Sequence, residues 1–178
     1  MKLSTSSKQK VRLMFEDEAS FGRINKPKYC WCKKGIRPCV PCRHIREYRY
    51  VYGAVDPISG DSLFEETQRC NTLQTYFFLK ELSRKFKNDI IILVMDGASW
   101  HKNKDAIPEN IHIIHLPPAT PEMNPIEQIW KELRKIGFRN EIFSSLEKVM
   151  ECLRKTIKSI SNDTVKSITG RQWILDCF

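Results

Sequence analysis

The chain has no apolar run long enough to cross a membrane. Its longest, Ile90 to Met95, stops at Asp96, whereas a spanning helix needs about 20 such residues. An export signal is missing as well, because MKLSTSSKQK at the N-terminus is polar and basic with no apolar h-region. Cytoplasmic residence, nucleoid-associated in a bacterium, or nuclear residence in a eukaryote is therefore the expectation, with no membrane partner. Internal repeats, low-complexity tracts and a recognisable linker are also absent. The seven cysteines are an odd number in a chain of 178 residues. A domain of that size does not depend on disulfide staples, so reduced thiols are the simpler state.

What the chain does have is enough apolar residue to fold and an excess of positive charge. With 41% hydrophobic residues, it is not disordered, and its length suits one domain that buries roughly 70% of the unfolded chain's surface. One domain over residues 1–178 is expected, with a polar tail at 1–10 and a basic, cysteine-containing loop region at 20–45. Thirty Lys and Arg against twenty-one Asp and Glu leave a net charge of +9. Such a surface favours phosphate backbones and salt-dependent binding, although a soluble protein can be basic without binding nucleic acid.

Strand-like and helix-like segments alternate, which predicts an α/β fold. Val11 to Phe15 reads as a first strand delivering Glu16, Asp17 and Glu18 at its carboxyl end. Arg46 to Asp56 and Ser62 to Glu66 read as antiparallel strands joined by the turn DPISG. From Thr72, apolar positions recur at helical spacing as far as Phe86. The uninterrupted Ile90 to Met95 reads as a central parallel strand covered on both faces. A short helix over His101 to Asp105 and a strand over Ile111 to Leu116 follow. The proline-rich PPATPEMNP then leads to a helix opened by Pro125 and capped by Asn124. Another amphipathic helix runs from Ile142 to Ile160 with a break near Ser144, and the tail Ile168 to Phe178 is expected to dock through its aromatics.

Three acids stand at predicted element ends: Asp17 after VRLMF, Asp96 after IIILVM, and Glu127 near the start of the helix opened by Pro125. Carboxylates converging from separate elements suit a metal-dependent phosphoryl transferase, because Mg²⁺ keeps waters and substrate oxygens in part of its shell. Two ions about 4 Å apart would activate the attacking oxygen and stabilise the leaving one. Against this, Asp and Glu favour helix starts for capping and dipole reasons alone. Alternation also turns Glu16 and Glu18 away from Asp17 if the strand continues through them.

FEDEASF at Phe15 to Phe21, VMDGASWH at Val94 to His101 and LPPATPEMNPIEQIWKELR at Leu116 to Arg134 resemble, in order, the three blocks of the catalytic domain of Tc1/mariner-superfamily transposases. The bacterial insertion-sequence branch, with its DDE endonuclease domain, is the nearer likeness. The resemblance implies a ribonuclease H-like fold, with a mixed central sheet flanked by helices. It implies Asp17, Asp96 and Glu127 as the catalytic, metal-binding triad for Mg²⁺, or Mn²⁺ in its place, with two ions. Thirty residues lie between Asp96 and Glu127, a little fewer than the family's habit. His101 matches a family position and either contacts the scissile phosphate, fixes Asp96 or packs locally; Asn124 and Pro125 shape the turn that positions Glu127. The implied activity is DNA strand cleavage and transfer on double-stranded DNA, transposon ends and target alike. The competing readings are a nuclease without strand transfer and a DNA-binding remnant without activity. The family's N-terminal helix-turn-helix region has no room before Asp17, which leaves a separately encoded catalytic half with a recognition half as its partner, a frameshift product, a fragment or a decayed element as the readings. Pairing of two ends would favour a homodimer.

Two further clusters stand out. Cys30, Cys32, Cys39 and Cys42 offer four thiolates within thirteen residues, a ligand set for structural Zn²⁺. The single residue between the first pair is shorter than the usual knuckle, and reduced loop thiols are the plainer reading. Lys26, Lys28, Lys33, Lys34, Arg37, Arg43, Arg46 and Arg49 concentrate positive charge nearby and would hold DNA phosphates if they adjoin the triad. Lys131 on the polar side of its helix and Trp100 beside Asp96 are further DNA-facing candidates. Trp130 shares a helical face with Ile126, Ile129 and Leu133 and reads as core.

Overall fold

The apolar runs assemble into a five-stranded sheet in a computed structural model that describes residues 9–25, 27–40, 42–101 and 107–176. Strand order is β3-β2-β1-β4-β5, with β1 Lys10–Gly22, β2 Tyr48–Val55, β3 Ser62–Thr67, β4 Asp89–Met95 and β5 Ile111–His115. β1 to β3 form an antiparallel meander, and β4 and β5 add in parallel to the other side of β1. The helix α1 Thr72–Lys85 makes the crossover from β3 to β4. Its start is capped by Asn71, whose side chain accepts from the Gln74 amide.

Each face of the sheet is covered, as the uninterrupted β4 run requires. On one face Met14, Tyr52, Ala54, Leu93 and Met95 pack against Phe78, Leu79 and Leu82 of α1. On the other, Phe15, Ala19, Phe21, Val51 and Val55 meet Ile126, Ile129, Trp130 and Leu133 of α2 Ile126–Gly137. The same layer takes Val149 and Leu153 of α3 Leu146–Ser159, Val165 of α4 Asn162–Thr169 and Ile174 of α5 Gln172–Leu175. Trp173 lies edge-on to Phe15 at 6.3 Å, so the tail docks through α5; Phe178 lies outside the described residues.

Several boundaries differ from the sequence expectation. β1 does not stop at Phe15 but continues to Gly22, because β2 pairs with it from Phe15↔Val55 to Gly22↔Tyr48 after β4 has ended. Its three acids are therefore inside the strand and alternate between faces. The expected helix at His101 is a single 3-10 turn over Ser99–His101, and residues 102–106 lie outside the description. α2 begins at Ile126, so Glu127 is its second residue, and Pro125 at the cap position makes no side-chain capping bond. The helix expected from Ile142 begins only at Leu146, where Ser145 caps it through the Lys148 amide.

At the end of β1 remote from the acids, Arg12 gathers three carboxylates. Its Nε donates to Asp89 at 2.5 Å, and its Nη1 donates to Asp61 at 2.6 Å and Asp56 at 3.0 Å. The guanidinium lies 4.3 Å over the Phe86 ring. One nearly buried side chain thus ties β1 to β4 and to the β2–β3 turn.

Candidate active site

The parallel register of β1 and β4 sets the site. Phe15 pairs with Val94, so two residues further Asp17 and Asp96 are level at the carboxyl end of β4. Both line one cleft, together with Glu18, Tyr48 and Trp100. Glu127 comes from the first turn of α2. Asn124 links that turn to β1, donating from Nδ2 to the Glu16 carbonyl at 2.7 Å while its own carbonyl accepts the Glu127 amide at 3.2 Å. Asn124 is buried; its side chain tethers the two acid-bearing segments and also takes the first amide of α2, Oδ1 accepting from Ile126 N–H at 3.4 Å, as its position before Pro125 suggests.

Asp17 is held by a residue that periodicity marks only as core. Trp130 Nε1 donates to Asp17 Oδ2 at 2.9 Å. The indole reaches it by lying over Gly53, the β2 partner of Asp17, where an added Cβ would come within 2.5 Å of the ring. Burial, then the charge of Glu127, pushes the Asp17 carboxyl up to about 7, against the opposing pull of Trp130 and the Glu18 amide. Trp130→Phe keeps the packing and removes the N–H. It is expected to weaken metal-dependent activity roughly 10- to 100-fold, the usual cost of losing an outer partner of a ligand. Activity titrated against Mn²⁺ checks this, and an unchanged titration would mean the bond does not position Asp17.

Asp96 is oriented from the other side. Its Oδ1 takes the Ala98 amide at 2.9 Å and lies 2.9 Å from His101 Nδ1. His101 Nε2 is 3.1 Å from Glu18 Oε1, which also accepts Trp100 Nε1 at 2.8 Å. The imidazole is fully buried and bridges β1 to the loop after β4. Burial works to lower the His101 pKa, but the hydrogen bond and charge of Glu18, followed by Asp96, raise it above its ordinary value. No described residue donates to Asp96 Oδ2, and the Asp96 side chain is 57% exposed.

Beneath this layer sits Glu16, fully buried with neither carboxylate oxygen hydrogen-bonded among the described residues. Burial, then the charges of Glu18, Asp17 and Asp96, raises its pKa well above the carboxylate range. Glu16, Glu18 and His101 have ligand atoms within 4.8 Å of one another, the one such group of three among the described residues. The oxygens of Asp17, Asp96 and Glu127 are more widely spread than that. Alternation along β1 explains the difference, since Glu16 and Glu18 share the face opposite Asp17.

The other sequence candidates lie elsewhere. No three of Cys30, Cys32, Cys39 and Cys42 come within mutual ligand distance among the described residues, so the zinc set does not assemble. Cys32 instead donates to the Ile36 carbonyl, and Cys42 lies 3.7 Å from His44 Nε2. Lys28, Lys33, Lys34, Arg37 and Arg43 are exposed along the extended 23–47 connection. That connection closes on itself at Arg23–Glu47 and leans on Asn140 through Lys28, so these cations do not line the cleft; Lys26 lies outside the described residues. Lys131 is exposed on α2 and is also absent from the lining. The cations that do border Asp17 and Asp96 are Arg46, Arg49 and Arg69. Arg69 was not anticipated, because only the fold of the segment after β3 brings it there.

Residues 12–150 match the family of DDE superfamily endonucleases. A protein of Sinorhizobium fredii (strain NBRC 101917 / NGR234), "Uncharacterized protein y4pE/y4sA", is 30% identical over 130 residues, covering 71% of this chain and 96% of that one. The Mos1 strand transfer complex superposes with a TM-score of 0.71 at 18% identity, over 89% of this chain and 50% of that one. The Mos1 mariner paired-end complex with Mn gives 0.68 at 16% identity, over 89% and 52%. The chain thus spans about half the length of the solved chains it matches. The shared fold is ribonuclease H-like, a mixed five-stranded sheet flanked by helices.

Proposed function

Because the chain belongs to the DDE superfamily endonucleases, we propose that it is a Tc1/mariner-type transposase catalytic domain that cleaves and joins DNA strands at Asp17, Asp96 and Glu127. The observation that carries this reading is the arrival of three acids from three elements, each oriented by a separate device. Asp17 is bonded by Trp130, Asp96 by His101 and the Ala98 amide, and Glu127 is tied back to β1 through Asn124. The family likeness supports the activity; the site geometry supports the assignment of residues.

The donor chemistry fits Mg²⁺ or Mn²⁺. Asp17, partly buried with the charge of Glu127 beside it, is pushed up to about 7, as expected of carboxylates arranged for a cation that offsets their repulsion. Asp17, Asp96 through its Oδ2, and Glu127 would hold the metal. When bound, divalent metal supplies Lewis-acid stabilisation of the attacking and leaving oxygens of a phosphodiester. The protein's part is to orient the ligands: Trp130 fixes Asp17, and His101, braced by Glu18, fixes Asp96 and leaves one oxygen toward the cleft. Transposon ends and target DNA are the proposed substrates. A homodimer that pairs two ends, and a separately encoded recognition half, are the proposed partners.

The titration of Asp17 gives a direct check. In the unfolded chain an aspartate loses its proton near pH 3.9, whereas the folded one keeps it to about 7. The metal-free protein therefore loses stability as pH rises from about 4 through about 7. Metal needs the carboxylate, so Mn²⁺ is expected to raise the melting temperature more at about pH 8 than at about pH 6. Equal Mn²⁺ shifts at the two pH values would count against Asp17 as a ligand.

A further inference from the structure

The cleft that holds Asp17 and Asp96 has a volume of about 850 Å³ and continues past Trp100 and Tyr48 toward Arg46 and Arg69. Its charges are not balanced. Glu47 on the rim is taken by Arg23 at 2.8 Å, and Glu66 nearby is taken by Arg154 at 2.6 Å. Arg46 and Arg69 have no carboxylate partner among the described residues. Two such guanidinium groups beside a cluster of acids form a site for an anion that must approach those acids, and a phosphate chain has the charge and the reach.

The aromatic groups narrow the ligand further. Tyr48 is 50% exposed, and its ring is held edge-on by Tyr50 at 5.5 Å. Trp100 lines the same cleft and is fixed by its hydrogen bond to Glu18. Bases inside a duplex are stacked on one another and offer only their edges in the grooves. Aromatic faces are useful to bases that have left the helix. From this pairing of two arginines that lack a carboxylate partner among the described residues with ordered aromatics along one cleft, we infer that it binds an unpaired nucleic-acid strand next to the scissile bond. Arg46 and Arg69 take its phosphates, and Tyr48 and Trp100 stack its bases.

This assignment rests on the proposed function but is tested apart from it. The purified chain is titrated with a fluorescein-labelled single-stranded oligonucleotide and with the blunt duplex of the same sequence, in Ca²⁺ over a range of salt. Wild type is expected to prefer the single strand. The double variant Arg46→Ala/Arg69→Ala is expected to bind it at least about tenfold more weakly, with the salt slope smaller by about 1.4, the value for two lost single-strand phosphate contacts. Tyr48→Ala is expected to weaken binding roughly tenfold with the slope unchanged, and Tyr48→Phe to restore it. Unchanged binding and slope in the double variant would overturn the inference, as would equal affinity for the duplex. Circular dichroism verifies that each variant is folded, and Arg46→Lys/Arg69→Lys, which keeps the charge, should recover most of the salt slope. If the arginines control binding but wild type cuts no DNA with Mg²⁺, the groove stands and the transposase reading fails. If wild type cuts and the arginine variants bind normally, the reverse holds.

Discussion

Glu127→Gln is expected to abolish metal-dependent strand cleavage and, in the same molecule, to stabilise the metal-free fold. The two effects have one cause. The charge of Glu127 is second only to burial in raising the Asp17 pKa to about 7. Neutralising it removes a proposed metal ligand and relieves the repulsion between two acids that the fold holds together. Activity should fall by more than the roughly 10- to 100-fold that follows loss of an outer partner, because a ligand itself is removed. The metal-free melting temperature at about pH 8 should rise, and the Mn²⁺-induced gain should shrink, a trade of stability for function seen where sites hold strained charges. Paired melting curves with and without Mn²⁺, beside a cleavage assay, measure both. A variant that is inactive but also less stable without metal would show that Glu127 serves the fold instead.

The second large effect is on stability alone. Arg12→Ala leaves Asp56, Asp61 and Asp89 without their common cation at the end of the sheet remote from the cleft. Removing one partner of a nearly buried ion cluster costs about 3–5 kcal/mol. The lower end is expected here, because Asp61 keeps a side-chain exposure of 32%. Burial acts to raise the Asp61 pKa, but hydrogen bonds from Arg12 and Ser59 and the charge of Arg12 outweigh it and hold the value below the ordinary one. The sign follows: this stabilisation is present above the ordinary aspartate pKa and is lost as pH falls through the depressed folded value. Urea unfolding at neutral pH and at about pH 3 should therefore show the stability gap between wild type and Arg12→Ala narrowing on acidification. An unchanged midpoint in Arg12→Ala at neutral pH would mean the cluster contributes little.

Much of the frame was legible because its signals are local. Ile90 to Met95 announces a strand buried on both faces, the spacing from Leu73 to Phe86 announces α1, and the repeat of Ile126, Ile129, Trp130 and Leu133 announces the buried side of α2. What the sequence concealed depends on partners far along the chain. The apolar signal of β1 ends at Phe15, but the strand runs to Gly22 because β2 continues the pairing. That extension is what separates Asp17 from Glu16 and Glu18. Trp130 reads as core, and it is core; its bond to Asp17 exists because Gly53, on a different strand, leaves room for the ring. Glu18 and His101 lie 83 residues apart, and no periodicity links them. The basic run from Lys28 to Arg49 looked like the DNA-facing surface from its charge alone. Of that basic cluster only Arg46 and Arg49, at its end, line the cleft, and Arg69 joins them from the segment after β3.

Asp96→Asn tests the central claim most directly, because the substitution keeps the shape and the acceptor that His101 and the Ala98 amide use while removing the charge. Wild type and variant are compared for joining a precleaved DNA end to target DNA with Mg²⁺ or Mn²⁺, using candidate terminal repeats and matched nonspecific DNA. Metal-dependent joined product from wild type, and none from a folded Asp96→Asn variant, is the predicted result. Cleavage without any joined product would contradict it in favour of a nuclease that does not transfer strands, and equal product from both proteins would remove Asp96 from the chemistry.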